Sequence, residues 1–120
     1  MKIALAQLNY HTGDFTGNSN KIIQAIGQAK QNGADLVVFA ELAITGYPPR
    51  DFLEFDDFIQ KSEEAAREIA GHCQGIAAIA GKPSRNTTGR GKPLFNSAWF
   101  LNEGEVRQVV SKSLLPNYDV

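Results

Sequence analysis

Cysteine is almost absent from this sequence, and the single one, Cys73, cannot close an internal disulfide. The two histidines, His11 and His72, stand in separate segments with no thiol or acid at ligand spacing, so no zinc site is suggested. A reducing, cytoplasmic setting is the expectation. Long hydrophobic runs are missing too. The apolar stretch at Met1 to Leu8 is shorter than a signal-peptide core or a membrane span, and polar residues interrupt it, so neither export nor a bilayer is indicated. A surplus of one charge sign is also lacking: the net charge of -1 gives no electrostatic reason to expect nucleic acid or an anionic membrane as a partner. What is present suits a packed body, because 42% hydrophobic and 21% charged residues can build a core and carry no signature of disorder. At 120 residues the chain has the size of one small domain.

Periodicity then orders the elements. Lys2 to Leu8 alternates and reads as a strand, followed by a polar loop from Asn9 to Asn18. Asn18 or Ser19 is placed to cap a helix whose Ile22, Ile23, Ile26 and Ala29 share one face, with Gly33 as its stop. Ala34 to Phe39 is a short branched and aromatic run, as expected of a strand buried on both sides in a parallel sheet. Gly46 and Pro48-Pro49 make Ala40 to Pro49 a loop. A second amphipathic helix is expected from about Phe55 to Cys73, then a buried strand at Gly75 to Gly81 and a polar loop from Ser84 to Lys92. Leu94 to Leu101 and Val106 to Ser111 read as two strands joined by Asn102-Glu103-Gly104-Glu105, a hairpin turn with glycine available for positive φ. The order predicts an α/β fold with a mixed sheet and helices packed on one face.

In such a sheet, reactive groups collect beyond the carboxyl ends of the strands, and Glu41 and Lys112 both fall there, each after an apolar strand. A carboxylate emerging from a low-dielectric region is a usable base, and an ammonium held nearby can stabilise charge developing on a substrate oxygen. Position alone leaves open that each is a strand-end charge reaching solvent, or that the two form a structural ion pair. Cys73, near the end of an amphipathic helix and far in sequence from both, reads as a structural thiol. Gly89-Arg90-Gly91-Lys92 lacks the strand before it and the helix after it that a phosphate loop needs.

The text around the two charges is more specific. Phe39-Ala40-Glu41-Leu42-Ala43-Ile44-Thr45-Gly46-Tyr47 resembles the segment that carries the glutamate of the nitrilase (carbon-nitrogen hydrolase) superfamily, with Ala40 where many members have proline. Lys112-Ser113-Leu114-Leu115-Pro116 resembles the lysine motif of the same superfamily, and Ile3 to Asn9 and Phe95-Asn96-Ser97-Ala98 resemble their counterparts there. Within that superfamily, Tyr47 to Leu53 and Leu115 to Val120 are similar to the versions in the glutaminase domain of glutamine-dependent NAD synthetases.

That resemblance implies the front part of an α-β-β-α sandwich. Residues 1–120 would form the N-terminal part of a glutaminase domain, incomplete at the C-terminus and ending before the cysteine nucleophile. It also implies a glutamate-lysine-cysteine triad that hydrolyses an amide through a thioester. Glu41 would be the general base, Lys112 the oxyanion partner, and Tyr47 and Tyr118 the lining of a glutamine pocket. The expected substrate is glutamine. Its ammonia would serve an ATP- and magnesium-dependent synthetase domain that converts deamido-NAD to NAD, in a homo-oligomeric assembly. No cofactor or metal is expected in this stretch, and the 120 residues alone are not expected to turn over glutamine. A free-standing amidase or carbamoyl hydrolase would share every motif quoted, and a non-catalytic binding remnant would share the sheet.

Overall fold

The computed structural model describes residues 1–40, 43–45, 56–85 and 94–111. These form a five-stranded sheet with two helices. In chain order they are β1 (Ile3–Leu5), α1 (Phe15–Gln31), β2 (Leu36–Val38), α2 (Asp56–Gly71), β3 (Ala77–Arg85), β4 (Leu94–Asn102) and β5 (Glu105–Ser111), and the strands lie side by side in that order. β1, β2 and β3 are mutually parallel, which two helical crossovers allow, while β3–β4 and β4–β5 are antiparallel. The α/β reading with a mixed sheet therefore stands.

The register explains how one face is sealed. Ala4, Val37, Ala78 and Leu101 fall in one row across β1 to β4, and all four join the cluster formed by the buried stripes of the helices. α1 contributes Ile22, Ile26 and Ala29, and α2 contributes Ala65, Ala66, Ile69 and Ala70, each spaced at three or four residues. A fully buried isoleucine such as Ile22 or Ile69 is worth roughly 1.5–3 kcal/mol relative to exposure. Phe15 of α1 meets Phe58 of α2 edge to face, with ring centroids 5.0 Å apart. The opposite row, Leu5, Val38, Ile79 and Phe100, is only partly covered, and Ile3 and Leu5 are exposed. Apolar residues on both faces of a sheet are the pattern of a middle layer, as the sandwich expectation requires. Among the described residues no helix is long and apolar enough to cross a membrane.

Local chemistry shifts several boundaries. α1 begins earlier than expected, at Phe15. Asp14 is the N-cap, its carboxylate accepting from the Gly17 amide at 3.0 Å, and Asn18 and Ser19 are buried inside the helix instead of capping it. Its end is as read: Gly33 takes φ 79°, the Gly33 amide donates to Lys30 and the Ala34 amide donates to Ala29, a Schellman closure that only a left-handed residue permits. β3 runs on to Arg85, past the expected end at Gly81, so Ser84 and Arg85 belong to the strand and not to a loop. The hairpin turn at Glu103-Gly104 has both residues at positive φ, 53° and 81°, so the glutamate shares the strain that was assigned to glycine alone.

Candidate active site

The parallel strands and β5 all run in one direction, so the carboxyl ends of β2, β3 and β5 lie at the same edge of the sheet. Ala40, which precedes Glu41, and Ser111, which precedes Lys112, are both delivered to this edge. Glu41, Tyr47, Lys112 and Tyr118 themselves lie outside the described residues.

The chain on either side of Glu41 is pinned. The Phe39 amide donates to the Ile79 carbonyl at 2.9 Å and the Ile44 amide donates to the Gly81 carbonyl at 3.1 Å, so two successive outward-facing carbonyls of β3 hold the chain at 39 and 44. Behind this strap stands Asn18, fully buried. Its side-chain amide donates to the carbonyls of His11 at 2.8 Å and Ile44 at 3.3 Å, and its oxygen accepts from the His11 amide at 2.9 Å. Gly13 donates to the Thr45 carbonyl at 3.0 Å. One asparagine thus ties the loop after β1 to the strap after β2, satisfying backbone groups that would otherwise be buried without partners.

Polar side chains accumulate at the same edge. Lys82 is fully buried; its ammonium donates to the Pro83 carbonyl at 2.5 Å and sits 3.9 Å from the centre of the Trp99 ring. Lys82, Ser97 and Ser111 are register partners across β3, β4 and β5. Hydroxyl contacts run from Ser84 to Ser97 at 2.5 Å and from Ser97 to Ser111 at 3.2 Å. The Tyr10 hydroxyl and the Trp99 indole N–H are buried and have no hydrogen-bond partner among the described residues. Burial pushes the Tyr10 phenol above its usual value, while the neighbouring Ala40 backbone pulls it the other way. Ala40 is the residue before Glu41, so Tyr10 also belongs to this corner.

Cys73 lies at the other end. It is fully buried, its thiol directed to the Ile69 carbonyl at 3.7 Å, and its own carbonyl accepts from Gly104 at the β4–β5 turn. Burial pushes the thiol up to about 11, which leaves almost no thiolate at neutral pH. A surface cavity of about 430 Å³ opens between the first turns of the helices, lined among others by Asp14, Ser19, Lys61, Glu64 and Glu68. None of the residues expected to do chemistry lines it.

The sequence reading missed Asn18, Lys82 and Trp99. Lys82-Pro83 reads as a strand stop, since proline is rare in a central strand. Here β2 has already ended beside it, so the amide that proline lacks faces a side with no ladder to bond. The usable signal was the polar, serine-bearing text on both sides of the hairpin, Ser84, Ser97 and Ser111, in strands otherwise apolar.

The sequence matches the carbon-nitrogen hydrolase family over residues 2–119. A glutamine-dependent NAD(+) synthetase from Xanthomonas campestris pv. campestris is 39% identical over 121 residues, which cover 100% of this chain and 21% of that protein. The structure of the glutamine-dependent NAD+ synthetase from Acinetobacter baumannii in complex with adenosine diphosphate is similar with a TM-score of 0.82 and 34% identity, covering 98% of this chain and 22% of that one. An amidase of the nitrilase superfamily from Nesterenkonia is similar with a TM-score of 0.76 and 27% identity, covering 96% of this chain and 44% of that one. The chain spans about a fifth of the length of the curated relative it matches.

Proposed function

We propose, for a chain that belongs to the carbon-nitrogen hydrolase family, the role of the front part of a glutaminase that supplies ammonia for ATP-dependent conversion of deamido-NAD to NAD. The observation that carries this reading is the convergence of the β2 and β5 carboxyl ends, which brings the chain leading to Glu41 and the chain leading to Lys112 to one edge. In this reading Glu41 takes the proton of a cysteine thiol supplied beyond residue 120, and the thiolate attacks the side-chain amide carbon of glutamine. Lys112 donates to the oxyanion of the tetrahedral intermediate. The intermediate collapses to a thioester as Glu41 returns the proton to departing ammonia, and a water activated by Glu41 then releases glutamate. Tyr47 and Tyr118 line the pocket for the amino-acid end.

Glutamine and deamido-NAD as substrates, the cytoplasm as the setting and a homo-oligomer as the assembly all follow from the same reading. ATP and magnesium would be held by a separate synthetase domain, which fits the adenosine diphosphate bound by the Acinetobacter relative. The likeness to the Nesterenkonia amidase carries the second reading, a free-standing amidase with the same triad. Tyr47-Pro48-Pro49-Arg50-Asp51-Phe52-Leu53 favours the first. The test is Glu41→Gln in the full-length protein. Glutamine-supported NAD formation is expected to fall by about 10²–10⁴-fold, as for loss of a general base, while formation supported by added ammonia survives. Undiminished glutamine hydrolysis would remove Glu41 from the reaction.

A further inference from the structure

We infer that Lys82 is a positioning residue of this site, a buried cation placed beyond the end of β2 to hold the carboxylate of residue 41 ionised and oriented. The inference rests on the reading of Glu41 as the base. It starts from backbone geometry. Alternate residues of a strand direct both their backbone groups to the same side. The carbonyls of Ile79 and Gly81 face β2, because they accept from Phe39 and Ile44, so the Pro83 carbonyl faces that side as well. There, past Val38, β2 has ended, and the Lys82 ammonium lies against this carbonyl. The β2–β3 register pairs Leu36 with Ala77, Val37 with Ala78 and Val38 with Ile79; carried forward at the same offset it sets position 41 against position 82. Glu41 also lies in sequence between the two tethers at Phe39 and Ile44.

Energetics agree with this placement. An ammonium of zero exposure keeps its proton only where carbonyls, aromatic faces or anions replace its water. The Pro83 carbonyl and the Trp99 ring are among the groups that do so here. A carboxylate beside it would complete that shell. The benefit is mutual, since a base emerging from apolar strands is itself pulled toward its neutral form, and a fixed cation opposes this. The described groups facing Lys82 do not titrate near neutrality: Trp99 and Ser97 on β4, Ser111 on β5, Thr45 on the strap, and the Tyr10 phenol, which burial moves further from neutral. Glu41 and Lys112 are the ionisable groups that the sequence brings to this corner besides Lys82.

The experiment measures kcat/KM for glutamine hydrolysis against pH in the full-length protein, for the wild type, Lys82→Met, Lys82→Arg and Glu41→Gln. Ammonia-supported NAD formation is the control for folding. Lys82→Met is expected to move the acid limb up by about one pH unit or more and to lower kcat/KM below that limb about tenfold, with Lys82→Arg restoring part of the shift. A Lys82→Met profile that superimposes on the wild type overturns the inference. If Glu41→Gln still hydrolyses glutamine, the functional reading has failed instead, whatever Lys82 does. Should Lys82→Met not fold, the carboxylate of residue 41 is titrated in the wild type by carbon NMR and assigned by its loss in Glu41→Gln. Titration at or below the usual glutamate range supports the role, and titration well above that range contradicts it.

Discussion

The two ends of this sheet are built from the same strands and differ in what they bury. At the amino end, around Cys73, Ile76 and the Glu103-Gly104 turn, the interior is apolar, and its polar needs are met by backbone pairs such as Gly104 to Cys73. At the carboxyl end Asn18, Thr45, Lys82 and Ser97 are all buried, and the Tyr10 hydroxyl and Trp99 indole N–H have no hydrogen-bond partner among the described residues. Burying polar groups opposes folding unless each is satisfied, at roughly 1–3 kcal/mol for each one left unpaired. A fold that keeps the cost to one end has reserved that end for chemistry. The apolar end supplies the rigidity that holds it.

Two substitutions break or sharpen this contrast. Asn18→Ala leaves the His11 amide and the carbonyls of His11 and Ile44 without their partner and loosens the strap next to Glu41. It is expected to lower stability by about 2 kcal/mol and also to depress glutamine hydrolysis in the full-length protein. Denaturant melts and rate assays check the two together; a stability loss with full activity would detach the strap from the site. Cys73→Ala, at the other end, is expected to cost about 1 kcal/mol for a small buried volume and to leave hydrolysis unchanged. It has a pH signature as well. Because the folded thiol titrates at about 11 and the ordinary value is 9.0, the folded state retains the proton that the unfolded state loses. Cys73 therefore contributes stability below pH 9 that disappears between about pH 9 and 11. Cys73→Ala should lose less stability than the wild type over that window, as chemical melts at graded pH would show, and an identical loss in both proteins would place the thiol in water.

How much of this was legible in the sequence follows from where physical signals are local. Both helices, the hairpin and all five strands could be read, because apolar periodicity and turn chemistry act over a few residues. The start of α1 was misplaced because Asp14, Asn18 and Ser19 are all good caps by type, and only tertiary burial of Asn18 and Ser19 decides for Asp14. The end of β3 was misplaced because Lys82-Pro83 reads as a solvated break. Burial of a lysine depends on Trp99, seventeen positions away, and on the early end of β2, neither of which a local window contains. Glu41 and Lys112 were picked out by the text around them, whereas Asn18 and Lys82, which organise the described part of their corner, have no such text.

The most direct test of the account is a crystal structure of the full-length protein after reaction with an electrophilic glutamine analogue such as a diazoketone. The result expected is an adduct on a cysteine beyond residue 120, seated at the carboxyl edge, with the Glu41 carboxylate and the Lys112 ammonium both within about 3 Å of the trapped group or one bridging water from it. An adduct on Cys73, or Glu41 and Lys112 on opposite faces of the sheet, would contradict it.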